Sequence, residues 1–261
     1  MTRHLLVIGG QRCGTTYLAG LLDAHPDITM ARPARPEPKV FLDDAILGAG
    51  LDGYRRTFFA HAAGEAVLGE KSTSYIEHPS AIGRAKALLG TPVVVAQLRD
   101  PVARAVSNYR FTHGFGLEER TLEQALSDNL EGSRPWDPTL TSVSPYAYLE
   151  RGRYVDHLAP WLEAFPDSSH VCFLEEVTDA DLGAAALAAV YDAVGVDPAS
   201  APPPPDGPVN ASAGDEPDLP ADLVTALRDH FVDSDLALSR LLHRDLPWAT
   251  RTTTGTTTEA R

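Results

Sequence analysis

Apolar runs that alternate with helical patterns predict an α/β protein, in which helices cover both faces of a parallel β-sheet. Four runs have the length and composition of buried strands, at residues 5–8, 66–68, 92–98 and 171–174. The second observation is a glycine-rich turn between the first run and the first helical pattern. Such sheets bind ligands beyond the carboxyl ends of their strands, so we expect the functional site at that edge.

The helical patterns separate these strands in chain order. They cover residues 15–23, 80–89, 102–109, 122–129, 154–164, 182–194 and 221–242. A chain of 261 residues is long enough to bury the core of one such domain. Residues 249–261 are threonine-rich and have no apolar period. We therefore expect a single domain over residues 1–248 and a disordered tail over 249–261.

Composition excludes several classes of partner. The 22 basic and 36 acidic side chains give a formal net charge of −14, which disfavours nucleic acid and other strongly anionic polymers. Two cysteines, Cys13 and Cys172, do not form a disulfide framework, which is typical of a reducing compartment. The apolar stretch before the glycine turn is about six residues long, too short for a signal peptide or a membrane span. We expect a cytoplasmic protein that binds no membrane.

The glycine turn has the spacing of a phosphate-binding loop. Gly9 and Gly14 are separated by four residues and followed by Thr15 and Thr16. A strand, a glycine loop and a helix N-terminus in this order direct backbone N–H groups at an anion. A nucleoside-triphosphatase loop carries lysine where this chain has Thr15. We therefore predict a P-loop-type nucleotide-binding fold whose loop lacks the side chain that contacts the β- and γ-phosphates.

A second anion site is predicted after the strand at 92–98. Arg99 follows the strand, Asp100 has the character of an N-cap, and Pro101 that of a first helical residue. Arg104 and Ser107 share one face of the following helix. Arg99, Ser107 and the glycine loop could converge on a nucleoside with phosphate-like groups at both ends. The alternative is that Arg99 pairs with a surface carboxylate and that Ser107 only packs.

Together these segments resemble the sulfotransferases that use 3′-phosphoadenosine 5′-phosphosulfate (PAPS), in the branch that includes heparan-sulfate sulfotransferases and many bacterial homologues. Residues 11–16 are similar to the family's 5′-phosphosulfate loop, and residues 98–109 to its 3′-phosphate segment, Arg-x-Pro-x-x-Arg-x-x-Ser. Residues 37–41, 69–75, 152–161 and 245–248 match later family patterns. The resemblance implies PAPS as donor, 3′,5′-adenosine bisphosphate as product and no metal.

The resemblance also implies the site residues. Those that bind the donor are Gln11, Arg12, Cys13, Gly14, Thr15, Thr16, Arg99 and Ser107. Arg12 stands where better-studied relatives carry lysine, and it stabilises charge without donating a proton, because arginine stays protonated. Glu37 matches the catalytic glutamate of the family's Glu-Pro-x-x-Phe stretch. Lys71 matches a lysine near the transferred group, with an ion pair to Glu70 as the alternative.

Other polar residues leave alternatives open. His113 is a second candidate for the base, because some relatives carry histidine four residues after the serine, where this chain has Phe111. His25 resembles a structural position, and Cys13 is expected to be a small loop residue rather than a reactive thiol. In the late loop at 209–216, Asn210 and Ser212 could bind the 3′-phosphate or only space the loop. No His/Cys cluster has metal-ligand spacing.

The acceptor is not determined by these motifs. It could be a sugar hydroxyl, a phenol, an amine or a small metabolite. The Ala/Pro/Asp-rich composition suggests a bacterial source, which favours a small molecule or glycoside of secondary metabolism over a matrix glycan. One alternative is a P-loop kinase or nucleotidase, although that class needs an acidic magnesium ligand at a strand end, where this chain has Arg99. Another is a non-catalytic nucleotide-binding module.

Overall fold

The computed structural model describes residues 2–137, 139–140, 143–203 and 219–248. In these ranges, five parallel strands form one sheet in the order β2-β3-β1-β4-β5. The strands are β1 (Arg3–Gly9), β2 (Ile28–Met30), β3 (Val67–Lys71), β4 (Val93–Leu98) and β5 (Ser169–Phe173). The predicted α/β class is confirmed. The sequence patterns missed β2, because a strand of three residues at the sheet edge is too short to show a period.

Helices connect the strands. They are α1 (Thr15–Ala24), α2 (Asp44–Gly48), α3 (Gly50–Phe58), α4 (Pro79–Leu89), α5 (Pro101–Gly114), α6 (Leu122–Asn129), α7 (Tyr154–Ala164), α8 (Leu174–Val177), α9 (Gly183–Val194) and α10 (Ala221–Leu242). The sequence predicted all of them except α2, α3 and α8. Short 3₁₀ helices lie at Val40–Leu42, Tyr75–Glu77, Glu150–Gly152 and Pro198–Ser200.

Local sequence explains where the main helices begin. Asp100 caps α5, since its side chain accepts a hydrogen bond from the Ala103 amide at 2.9 Å, and Pro101 occupies the first turn. Thr121 and Gln124 form a capping box at the start of α6. The predicted cap of α5 is therefore present, and it places Arg99 directly between a strand end and a helix start.

Both faces of the sheet are buried. Along β1, Leu6 and Ile8 belong to one apolar cluster, which includes Trp161 of α7. Leu5 and Val7 belong to a second cluster on the other face, with residues of α1 and α9. This arrangement explains why the strands are continuous apolar runs and do not alternate with polar residues. A third cluster joins α5, α6 and α10 at the carboxyl edge of the sheet.

The C-terminal helix is tied to the predicted site by polar contacts. Arg228 of α10 forms an ion pair with Asp100 at 2.6 Å. Asp235 of the same helix accepts a 2.9 Å hydrogen bond from the indole N–H of Trp248. No helix in the described ranges is both long and apolar enough to cross a membrane. The tail predicted at 249–261 and the loop at 209–216, with Asn210 and Ser212, lie outside the described residues.

Asp235 predicts a pH dependence of stability. Burial raises the pKa of its carboxyl to about 6 from its ordinary value of 3.8. The folded state therefore binds this proton more tightly than the unfolded state, and the stabilisation is lost as pH rises from about 4 through about 6. Asp235→Asn mimics the protonated form at every pH. The free energy of unfolding of the variant minus that of the wild type should therefore be about 2–3 kcal/mol larger at pH 7 than at pH 4.

Denaturant titrations at pH 4 and pH 7 measure this difference. Asp233→Asn is the matched control, because Asp233 lies exposed on the same helix and should show no such gain. A difference between Asp235→Asn and the wild type that is the same at both pH values contradicts the prediction.

Candidate active site

The glycine loop begins at the end of β1 and ends in a left-handed turn. Gly14 has φ 78° and immediately precedes α1. A Cβ at this position would lie 2.5 Å from the Leu174 side chain and 2.9 Å from the Gln97 amide nitrogen. Both the backbone conformation and the close approach therefore require glycine. Arg12 also has a positive φ, of 66°, which is costly for a side chain of its size.

The loop presents unbonded backbone N–H groups. Within the described residues, the amides of Gly14, Thr15 and Thr16 donate to no carbonyl oxygen, as expected at the first turn of a helix. Cys13 differs, because its amide donates to the Gly10 carbonyl at 3.3 Å and its side chain is fully buried. The arrangement suits an anion held by the amides that follow Cys13 rather than by Cys13 itself.

Hydrogen bonds hold the loop from beneath. The Gly10 amide donates to the Gln97 carbonyl at 2.7 Å, and the Gln97 side-chain amide donates to the Cys13 carbonyl at 2.8 Å. The Cys13 sulfur lies 3.4 Å from the hydroxyl of Tyr154, which also donates to the Arg99 carbonyl. Burial raises the pKa of the Cys13 thiol to about 11, so it stays protonated and is not a nucleophile.

Arg12 brings the two predicted phosphate-binding segments together. Its Nε donates a hydrogen bond to the Ser107 hydroxyl at 3.2 Å, although the two residues are 95 positions apart. Its guanidinium lies over the Phe111 ring, 4.7 Å from the centroid. Burial, followed by the charge of Arg99, lowers the pKa of the Arg12 guanidinium from its usual value. The smaller effects of Arg99, Arg104 and Arg35 on this pKa show that several arginines lie near the junction of the loop and α5.

The two arginines of the second segment differ in surroundings. Arg104 is fully buried and donates to the Asn108 side chain and to the Tyr148 carbonyl, so its role is to hold α5. The Arg99 side chain is partly exposed and has no hydrogen-bond or ion-pair partner among the described residues. Arg99 therefore does not form the surface ion pair considered as its alternative, and its guanidinium is available for a ligand.

Glu37 and Lys71 form a close pair. The Lys71 ammonium lies 2.6 Å from Glu37 Oε1, and both side chains are largely buried. Glu37 also accepts hydrogen bonds from the amide of Thr73 at 2.9 Å and from its hydroxyl at 3.0 Å. A carboxylate that can accept a proton and an ammonium that can stabilise negative charge thus lie side by side.

The alternative partner of Lys71 was wrong, because Glu70 points into the core. Glu70 has no solvent exposure and accepts hydrogen bonds from the hydroxyls of Tyr54, Ser72 and Tyr75. Burial raises the pKa of its carboxyl. Adjacent strand residues point to opposite faces, so Glu70 and Lys71 diverge, whereas the loop at 37 folds back onto Lys71.

The two histidines named in the sequence analysis, His113 as a candidate base and His25 as a structural residue, have backbone partners. His25 is buried, with Nδ1 accepting from the Asp27 amide at 3.1 Å and Nε2 3.0 Å from the Asp197 carbonyl. His113 lies at the end of α5, where Nδ1 is 2.8 Å from the Glu118 carbonyl and the ring stacks on Tyr109. Among the described residues, His113 shares no hydrogen bond with Glu37 or Lys71, so these two candidates for the base do not belong to one hydrogen-bonded group.

Two features of the site escaped the sequence analysis. Arg151 is a buried arginine that donates to the Gln11 side chain at 3.2 Å. A cavity of about 310 Å³ lies beside Thr16 and is lined by Tyr17, Gly20 and Pro202 among others. An aromatic residue directly after the two threonines was the available signal for the cavity. Within the described ranges, no group of three or more His, Cys, Asp and Glu residues could hold a metal ion.

Comparisons with known proteins agree with this geometry. The family described as "Sulfotransferase domain" matches residues 2–175 of the 261. The chain is 32% identical to bifunctional heparan sulfate N-deacetylase/N-sulfotransferase 1 of Caenorhabditis elegans over 166 residues. This match covers 62% of this chain and 18% of that protein. The chain is 30% identical over 161 residues to heparan sulfate glucosamine 3-O-sulfotransferase 3B1 of Mus musculus, or 62% and 38% of the two. The chain spans well under half the length of these relatives.

A solved structure shows the same fold. The crystal structure of a sulfotransferase from Alicyclobacillus acidocaldarius superposes with a TM-score of 0.72, covering 94% of this chain and 98% of that one at 23% identity. This likeness supports the predicted P-loop-type architecture. The family match extends from the first strand through the glycine loop, the Glu37–Lys71 pair and α5 to the end of β5. The chain belongs to the sulfotransferase domain family.

Proposed function

We propose that this chain transfers the sulfuryl group of PAPS, in line, to a hydroxyl or amine of a small-molecule, glycoside or glycan acceptor. The observation that carries the proposal is the 3.2 Å hydrogen bond between Arg12 and Ser107. It brings a loop suited to a 5′-phosphosulfate into contact with a helix suited to a 3′-phosphate. A ligand that satisfies both must be phosphorylated at both ends of its nucleoside.

The polar groups present fit such a donor, whose bound phosphosulfate supplies the activated sulfuryl group. The unbonded amides of Gly14, Thr15 and Thr16 are donors for the 5′-phosphosulfate, together with the threonine hydroxyls. Arg99 and Ser107 are donors for the 3′-phosphate. The cavity beside Thr16 offers the Tyr17 ring as an apolar surface for the adenine. The backbone amides of Gly14, Thr15 and Thr16 and the Arg99 guanidinium are therefore available to the donor, whereas the Gln11 side chain already bonds Ser74 and Arg151.

Arg12 stabilises charge in this scheme. Its guanidinium reaches Ser107 and stays protonated, so it can stabilise negative charge on the departing phosphate without exchanging a proton. The same guanidinium contacts the hydroxyl expected to bind the 3′-phosphate. Binding of the 3′-phosphate at Ser107 therefore changes the partners of Arg12, the residue that acts on the 5′-phosphosulfate.

Glu37 accepts the proton of the acceptor. Its carboxylate is held by Lys71 and Thr73, and these donors fix its position. Removing the proton from a hydroxyl raises its nucleophilicity, and Lys71 beside the carboxylate stabilises the negative charge that develops on the sulfuryl oxygens. Positioning and charge stabilisation are the main contributions a protein makes to a transfer of this kind.

The surface beside Arg12 supports a small acceptor with an apolar part. Phe111 is 48% exposed and Phe115 69% exposed, and their ring centroids are 4.7 Å apart. Adjacent exposed aromatic rings beside a site offer apolar area to a ligand that binds there. Such a surface favours a phenol or an apolar alcohol or glycoside over a highly charged glycan. It fits the expected role in bacterial secondary metabolism, and the two buried free cysteines fit the expected cytoplasmic location.

The kinase alternative has weaker support. Thr15 stands in place of the loop lysine, and the strand next to the loop leads into Arg99 rather than an acidic residue. Calorimetry should show that 3′,5′-adenosine bisphosphate binds at least about tenfold more tightly than ATP with magnesium, because only the former uses Arg99 and Ser107. Tighter binding of ATP, with no preference for the 3′-phosphorylated nucleotide, contradicts the proposal.

Arg99→Ala tests the 3′-phosphate site. The substitution should weaken binding of the bisphosphate by about 1.5–3 kcal/mol, the range for a hydrogen bond to a charged group. Isothermal titration calorimetry measures this loss. Arg240→Ala is the control, since Arg240 is an exposed arginine in the last turn of α10 and should leave the affinity unchanged. An affinity of Arg99→Ala equal to that of the control places the 3′-phosphate elsewhere.

Glu37→Gln tests the base. The variant keeps the shape of the side chain but cannot take a proton, so transfer from labelled PAPS should slow by about 10²- to 10⁴-fold while bisphosphate affinity changes little. An acceptor screen with labelled PAPS supplies the assay, and slow hydrolysis of PAPS serves as a second readout. Glu163→Gln, at an exposed position of α7, should behave as wild type. A Glu37→Gln rate equal to that of the wild type removes Glu37 from the mechanism. Bisphosphate binding without any turnover of PAPS favours the binding-module alternative.

A further inference from the structure

Arg151 is a buried cation behind the site. It lies in the 3₁₀ helix Glu150–Gly152, and its side chain is only 5% exposed. Its Nε forms an ion pair with Glu77 at 3.1 Å. Its Nη1 donates to the Gln11 side-chain oxygen at 3.2 Å and to the Asn108 side-chain oxygen at 3.1 Å. One guanidinium thus contacts three segments of the chain that are far apart in sequence.

Each of these three segments also contains residues of the proposed site or lies next to them in the sequence. Gln11 directly precedes Arg12 in the glycine loop, and Asn108 directly follows Ser107 on α5. Glu77 ends the short helix Tyr75–Glu77, which follows Lys71 and Thr73. Arg151 therefore contacts the sequence neighbour of Arg12 and the sequence neighbour of Ser107, the two residues joined by the hydrogen bond between the loop and α5.

The chemistry of arginine suits this position. Its planar guanidinium offers several donors in a fixed fork, which can bond a carboxylate and two carboxamides at once. An ammonium group on a flexible stem does not reproduce that geometry. Burial lowers the pKa of Arg151, but the adjacent Glu77 charge opposes the shift, and arginine remains charged at neutral pH. The cation is thus a permanent part of the site's framework.

We propose that Arg151 is a positioning residue that keeps the glycine loop and α5 in register, so that a nucleotide phosphorylated at both ends binds as one unit. This inference rests on the proposed function. A ligand that contacts the loop alone needs only the loop to be formed. A ligand that spans both segments also needs their separation to match its own length, and the bonds from Arg151 to Gln11 and Asn108 set that separation.

The test compares two ligands that differ by the 3′-phosphate. Calorimetry yields the ratio of the dissociation constant of adenosine 5′-monophosphate to that of 3′,5′-adenosine bisphosphate, which measures the gain from spanning both segments. Arg151→Met/Glu77→Gln removes the ion pair without leaving a buried carboxylate unpaired, which protects the fold. The ratio should fall about tenfold in this double variant, through weaker binding of the bisphosphate.

A second variant keeps the charge. Arg151→Lys retains a cation beside Glu77 but lacks the planar guanidinium. Its melting temperature should be closer to that of the wild type than the melting temperature of the double variant is, and the ratio of the two dissociation constants should still fall. The control for a disrupted ion pair elsewhere is Arg120→Met, because Arg120 pairs with the buried Glu118 at 2.7 Å. That variant should melt at a lower temperature than the wild type with an unchanged ratio.

The outcomes separate this inference from the proposed function. A wild type with no preference for the bisphosphate contradicts the proposed function and the inference that rests on it. A wild-type preference that persists at full size in both Arg151 variants overturns the positioning role alone. An equal loss of affinity for both nucleotides also overturns it, because Arg151 would then shape only the loop.

Discussion

The arrangement of the site depends on the bonds that Gln97 makes to the glycine loop. Gln97 is fully buried in β4, where its backbone carbonyl accepts from Gly10 and its side-chain amide donates to Cys13. β4 ends one residue later and is followed by Arg99. The loop and the start of the second anion-binding segment are therefore fixed to the same buried strand. Segments fixed in this way need little ordering when a ligand binds between them.

Charge is distributed unevenly over this acidic protein. The chain has a net charge of −14, yet several arginines lie near the junction of the loop and α5, among them Arg12, Arg99, Arg104 and Arg151. The two most buried of these, Arg104 and Arg151, both donate to the side-chain oxygen of Asn108. These neutral oxygen acceptors compensate part of the cost of burying the two cations, and the Glu77 carboxylate compensates a further part for Arg151. Positive charge is thus concentrated locally in a chain whose net charge is negative.

Local patterns explain which elements could be predicted. The strands next to the loop and the seven predicted helices have an apolar period over most of their length or a recognisable cap, such as Asp100 and Pro101 at the start of α5. β2, α2 and α8 span only three to five residues, too few for a period to appear. The nine residues of α3 include two glycines, which weaken a helical pattern. The spacing of the glycine loop, by contrast, specifies backbone geometry directly, because only glycine accepts the φ of 78° and the close contact with Leu174 at position 14.

The sequence by itself determined the fold class, the loop, the order of the two predicted anion-binding segments and the family resemblance, because each of these rests on motifs whose own residues lie close together in the chain. Only the tertiary structure decided which side chains meet. It paired Lys71 with Glu37 rather than with Glu70, and it placed the Arg12 guanidinium against Ser107. It also made Arg151 part of the site through a contact with Gln11, 140 positions away. Such contacts follow from how strands and helices pack, and the residue spacing of a single chain carries no signal for them.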